Sequence, residues 1–149
     1  MPKLDLTISK DALPADAKAE LPRQLGAAML RAEGAPDTEF FRSITWVHLH
    51  ELPEGAVHNA DGVADEPRAI LDVSVPEGAL NDRRRASLVE EVTGLVLDAA
   101  GWGPDAGLRV WVIVNEVPEG HWGAGGQIVR FEQLREAAKR ERERAEAPA

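Results

Sequence analysis

Cysteine is absent from the 149 residues. That excludes disulfides, thiolate catalysis and cysteine-based metal sites. No apolar stretch approaches the roughly 20 residues needed to span a bilayer. No basic segment followed by an apolar run opens the chain, as a signal peptide would. The expected location is therefore the cytoplasm. Positive charge is also short: 17 Lys and Arg stand against 26 Asp and Glu, a formal net charge of -9. Nucleic acid and anionic membranes are both disfavoured as partners, because phosphate contacts need concentrated cations. Apolar residues, by contrast, make up 44% of the chain, enough to build the core of one domain of ordinary size.

The chain repeats itself. Leu4-Asp5-Leu6 recurs as Leu71-Asp72-Val73, 67 positions on, and Ala12-Leu13 recurs as Ala79-Leu80. Both stretches alternate with period 2 and then turn, as short strands do. The following segments keep the same offset. Leu21, Leu25, Ala28, Met29 and Ala32 match Leu88, Val92, Leu95, Val96 and Ala99. That spacing is one face of an amphipathic helix. Asn81 is the expected N-cap of the second helix, and Gly34 and Gly101 stand where left-handed C-terminal glycines belong. Pro22 is expected to kink the first helix or shorten it. A third pair, ITWVHLHELPEG against RVWVIVNEVPEG, brings Trp46, Glu51 and Gly55 against Trp111, Glu116 and Gly120.

Two tandem β-α-β units follow, an α/β (α+β) chain. Each unit has parallel strands joined by a helical crossover. Edge to edge they predict a four-stranded sheet with two helices on one face. Trp46, His48 and His50 fall on one side of their strand, with Val47 and Leu49 on the other. The uncovered sheet face then needs a partner, so an oligomer is expected. Residues 1–131 are expected to form one domain of two repeats, 2–62 and 69–128. Residues 132–149 follow as a charged helical tail, read as a solvated helix that frays.

Proline beside the initiator Met, a duplicated β-α-β unit and the glycine-rich stretch NEVPEGHWGAGGQI (115–128) together resemble the tautomerase superfamily. The resemblance covers residues 2–131. It implies a homotrimer and a cofactor-independent isomerase. The base would be the amine of Pro2 after Met1 is removed, acting on a carboxylate-bearing enol or dienol. The chemistry stands by itself: an α-amino group titrates near about 7.7–8.0, and burial lowers it further. A group poised there serves as general base or acid.

The family's arginines are missing. The matching positions are Ala12, Pro76, Ala79, Trp46 and Trp111, and the dehalogenase branch's helix histidine falls on Met29 or Leu30. Trp122, Trp111 and Trp46 are therefore the expected substrate-binding aromatics, with Arg109 the first choice of replacement cation. Glu116 and Glu51 are candidates for activating water. Two alternatives accompany the isomerase reading. One is hydration, dehalogenation or decarboxylation of a three-carbon acid by protonated Pro2. The other is a non-catalytic trimer that keeps the fold alone. His48 and His50 can seed a metal site, but the sequence places no third ligand with them, so no metal is expected. GAGG (123–126) closes a strand and lacks the Lys-Ser/Thr of a phosphate loop, so no nucleotide cofactor is expected either.

Overall fold

Alternation along two central strands decides the architecture. In the computed structural model, which describes residues 1–147, β1 runs Lys3–Ser9 and β5 runs Ala69–Pro76. Leu4, Leu6 and Ile8 of β1 and Leu71, Val73 and Val75 of β5 are all within 1% of fully buried. The residues between them face the other way. β2 (Trp46–Leu52) flanks β1 in parallel, and β6 (Val110–Val117) flanks β5 in parallel. β1 and β5 meet antiparallel at the centre, giving the order β2-β1-β5-β6. The expected four-stranded sheet is therefore formed.

Helix α1 (Ala15–Glu33) and helix α3 (Asp82–Ala100) cover the apolar face. Their buried residues are equivalent across the repeat: Leu21 with Leu88, Leu25 with Val92, Met29 with Val96. Each such side chain contributes about 1.5–3 kcal/mol by leaving water. Asn81 caps α3 by accepting the Arg84 N–H at 2.9 Å. Gly34 (φ 67°) and Gly101 (φ 65°) close the two helices in the left-handed region that a Cβ disfavours. Pro22 neither shortens nor ends α1. The helix runs through it from Ala15, so the proline costs one backbone hydrogen bond inside an element held by packing.

Short elements complete the chain. α2 (Glu39–Ser43) and a 3-10 turn (Pro104–Arg109) occupy equivalent helix-to-strand links. Each repeat ends in a small hairpin: β3 (His58–Asn59) with β4 (Gly62–Val63), and β7 (Gly123–Ala124) with β8 (Gln127–Ile128). Gly125 and Gly126, both at positive φ, make the second of these turns.

The last helix, α4 (Phe131–Glu146), departs from the solvated tail expected of its composition. Ala138 is buried against Leu30 and Phe41, with Ala35, Ile44 and Ala137 at the margin. The small Ala137-Ala138 pair inside the charged run lets the helix approach closely. Its start is fixed by Gln133, which accepts the Arg130 N–H at 2.8 Å, and by Glu119, which accepts the Phe131 N–H at 3.2 Å. Among the described residues no helix is long and apolar enough to cross a membrane.

Candidate active site

Because β1 and β5 are antiparallel, the two repeats begin at opposite ends of the sheet. Pro2 lies at one end and Ala69 at the other, about 20 Å apart at a strand's rise per residue. This divides the expected site residues into two groups.

Trp46 and Glu116 lie at the Pro2 end. The Trp46 N–H donates to the Pro2 carbonyl at 3.1 Å, and its indole Nε1 donates to the Ser43 carbonyl at 3.1 Å. Glu116 pairs in register with Val75, accepts the Gly78 N–H at 3.4 Å and lies 3.7 Å from Arg85. Trp122 belongs to the hairpin segment that leaves β6 at this same end, and it is half-buried.

Trp111, Arg109 and Glu51 lie at the Ala69 end, so a single chain does not bring them to Pro2. Glu51 pairs in register with Ile8 and bonds Lys18 at 3.0 Å. Trp111 pairs with Ile70, and its Nε1 donates to the Leu108 carbonyl at 3.2 Å. Arg109 precedes the strand that carries Trp111. It closes the 3-10 turn and stacks over Trp102 at 4.9 Å, with Glu66 at 3.7 Å. With Arg68, His58 and Trp111 it lines a separate cavity of about 400 Å³.

Pro2 itself is buried. Met1, next to it, lines a cavity of about 680 Å³, walled by Glu33 and Gly34 at the end of α1, Ala79 before α3, Arg84 in the first turn of α3, and Arg142 of α4. Arg84 reaches the Glu33 carbonyl at 3.4 Å, and Arg142 reaches the Gly34 carbonyl at 2.5 Å. Arg135 and Lys139 of α4 line the same space. The surroundings act on the ionisable groups here. Burial pushes the Met1 amine below its ordinary value, opposed by the Glu33 charge. Burial pushes the Glu33 carboxyl upward, opposed by the same amine.

Sequence reasoning missed Glu33, Arg84 and Arg142. The two arginines were hidden because neither sits at a position equivalent to the missing family cations. Arg142 was further hidden by assigning its helix to solvent. The one available signal was Ala137-Ala138, two small apolar residues in an otherwise charged run.

A second cluster lies on the sheet face away from the helices. Asp5 bonds Lys3 at 2.6 Å and lies 2.9 Å from His48 Nδ1 and 3.2 Å from His50 Nε2. The Lys3 bond, then the two imidazoles, hold the Asp5 carboxyl at about 2 against the cost of burial. The register pairs Asp5 with His48, which is the third ligand the sequence left unplaced.

Residues 70–132, the second repeat through the start of α4, match the family described as tautomerase enzyme. Solved structures match over nearly the whole length. A member of the cis-3-chloroacrylic acid dehalogenase family is 21% identical with a TM-score of 0.73, covering 98% of this chain and 92% of its own. Pt0534, a structure inactivated by 2-oxo-3-pentynoate, is 22% identical with a TM-score of 0.72, covering 89% and 98%. A fused 4-OT described as a symmetric trimer is 21% identical with a TM-score of 0.71, covering 87% and 96%. No curated protein matches the sequence. The second half of the chain thus matches the tautomerase family model, and the chain as a whole shares the fold of these solved structures.

Proposed function

We propose that the protein is a cofactor-independent tautomerase, working as a homotrimer, whose base is the amine of Pro2 once Met1 has been removed. The observation that carries this reading is the cavity at the chain's start. It lies where the chain starts, and it is lined by Arg84 and Arg142, cations that would take the part of the absent family arginines. Neutral Pro2 takes the hydroxyl proton of an enol or dienol acid and returns a proton to carbon as the carbonyl forms. Arg84 and Arg142 each give one N–H bond to a backbone carbonyl and keep further donors for a substrate carboxylate. Phe41 and Ala79 give the same cavity apolar walls. The trimer reading is supported by the uncovered sheet face, where Trp46 and Trp111 are 61% and 62% exposed, and by the trimeric fused 4-OT of like fold.

Intact mass is the first test, because a retained Met1 leaves no secondary amine and sinks the reading. Incubation with 2-oxo-3-pentynoate is the second. An uncharged proline nitrogen adds to the alkyne conjugated with the ketone, so the expected adduct is one reagent per chain on the N-terminal peptide. Modification confined to lysines would contradict a neutral Pro2.

One observation favours a second reading. Of the two equivalent glutamates, Glu116 is the one at the Pro2 end, where a water-activating carboxylate for hydration or dehalogenation would stand. Glu116→Gln separates the two. It leaves enol isomerisation intact and abolishes addition of water to a halo-acrylate or acetylene acid.

A further inference from the structure

We propose that Asp5, His48 and His50 form a binding site for one divalent transition-metal ion per chain, with Zn²⁺ the best match. His48 and His50 alternate on the outer strand β2, so both imidazoles stand on the sheet face away from the helices. Asp5 is the register partner of His48 on β1. The ligand atoms Asp5 Oδ1, His48 Nδ1 and His50 Nε2 all lie within 4.8 Å of one another. Tetrahedral Zn²⁺ with bonds of about 2.0–2.1 Å sets its ligands about 3.3–3.4 Å apart. The Asp5–His48 and Asp5–His50 separations of 2.9 and 3.2 Å need to open by only a few tenths of an ångström.

Two further observations point to a cation. Lys3 holds the other oxygen, Asp5 Oδ2, at 2.6 Å. That contact orients the carboxylate so that Oδ1 faces both imidazoles, as an outer-shell partner of a metal site does. Asp5 also stands directly across the ladder from Asp72, and like charges so paired destabilise a sheet. Among the described residues Asp72 has no ion-pair partner. A bound cation would offset that repulsion at its centre.

The repeat is an internal control. Asp72 is the equivalent of Asp5, but the equivalents of His48 and His50 are Ile113 and Asn115. The same strand face therefore forms without histidine. The two imidazoles are additions specific to the first repeat, and they converge on Asp5. Three protein ligands leave at least one coordination position for water, a small anion or a group of a neighbouring subunit.

Equilibrium dialysis of the full-length protein against Zn²⁺, with metal counted per chain, tests this. The expected result is one tight equivalent, lost in the His48→Ala/His50→Ala variant and weakened about tenfold or more by Asp5→Asn. Both histidines are exposed in the single chain, so the double variant keeps the fold, which circular dichroism verifies, and sedimentation checks that its assembly matches the wild type. His58→Ala and His121→Ala serve as controls and retain the equivalent. Co²⁺ gives a second readout, because its visible absorption reports nitrogen and oxygen ligation in the wild type. Zn²⁺ uptake equal in wild type and double variant would overturn the proposal. So would loss of the metal in the His58 or His121 controls.

Discussion

Pro2 and Ala69 occupy equivalent places, at the starts of β1 and β5, at opposite ends of one sheet. What surrounds them separates framework from function. Several features recur at both ends. Trp46 and Trp111 each donate an indole N–H three residues back. Lys18–Glu51 and Arg85–Glu116 are equivalent ion pairs, since residues 18 and 85 share the repeat's offset. A feature that both ends carry is explained by the fold they share, so these glutamates and indoles first of all fasten strand to helix and link. Other features occur once. Ala69 stands where the other end has Pro2, and only the Pro2 end is covered by α4 with Arg142. The Ala69 end instead has Arg68 and Arg109 around a smaller cavity.

The largest expected effect breaks that asymmetry. Pro2→Ala lowers kcat/KM for enol isomerisation about 10²–10⁴-fold, the range for loss of a positioned general base. Arg109→Met, at the other end, leaves it unchanged. Steady-state rates on a panel of enol acids check both. Equal losses from the two variants would show that the Ala69 end also takes part, through a neighbouring subunit.

The next effect tests the half that the repeats share. Leu21 and Leu88 are equivalent, 0% and 1% exposed, and pack under the same sheet face. Truncating either to Ala costs about 2–5 kcal/mol of stability through lost transfer energy and a residual cavity. The two losses are expected to agree closely, measured by urea denaturation. A large difference would mean that α4, whose Ala138 packs on Leu30 of α1, carries part of the first helix's stability.

Arg142 sharpens the comparison from the α4 side. Its side chain reaches Gly34 across the cavity mouth. If it holds the substrate carboxylate equally in ground and transition states, Arg142→Met raises KM about tenfold with kcat intact. The same substitution at Arg140, whose guanidinium turns back to Glu136 on its own helix, changes neither.

Which of these features the sequence disclosed follows from the range of the forces involved. Period-2 and helical spacing reported Leu4, Leu6, Leu21 and Leu25 directly, because burial of alternate residues is what the pattern encodes. Asn81 and Gly101 were legible because caps act within one turn. The repeat supplied the topology. The division of Trp46 from Trp111 was not legible, since it depends on β1 and β5 meeting antiparallel, a contact between residues almost 70 apart. Arg109 was not legible because its place in the 3-10 turn, stacked on Trp102, is a contact that local spacing does not report. Asp5 was invisible as a partner for His48 and His50 because register across two strands is a tertiary fact. α4 was misread because its charge dominates its composition, while two alanines decide its docking.

The smallest expected effect concerns the carboxylate pair at the centre of the sheet. Asp5 and Asp72 face one another in register, yet only Asp5 is bonded to Lys3 and two imidazoles. Removing Asp5's charge gives up those bonds, whereas removing Asp72's charge relieves repulsion. Asp5→Asn is therefore expected to destabilise the protein at neutral pH and Asp72→Asn to stabilise it, by about 0.2–1 kcal/mol, the range for cross-strand pairs. The difference has its own pH signature. Folding lowers the Asp5 carboxyl to about 2, against about 3.9 for an unfolded aspartate. Its contribution is complete above about pH 4 and is lost as pH falls toward 2, because the unfolded chain binds the proton first. Denaturation midpoints followed from pH 5 to pH 2 should fall more steeply for wild type than for Asp5→Asn. Acidic groups elsewhere titrate in both proteins and cancel from the comparison. Parallel curves would mean that Lys3 and the imidazoles do not favour the charged form of Asp5, and the two carboxylates would then be equivalent after all.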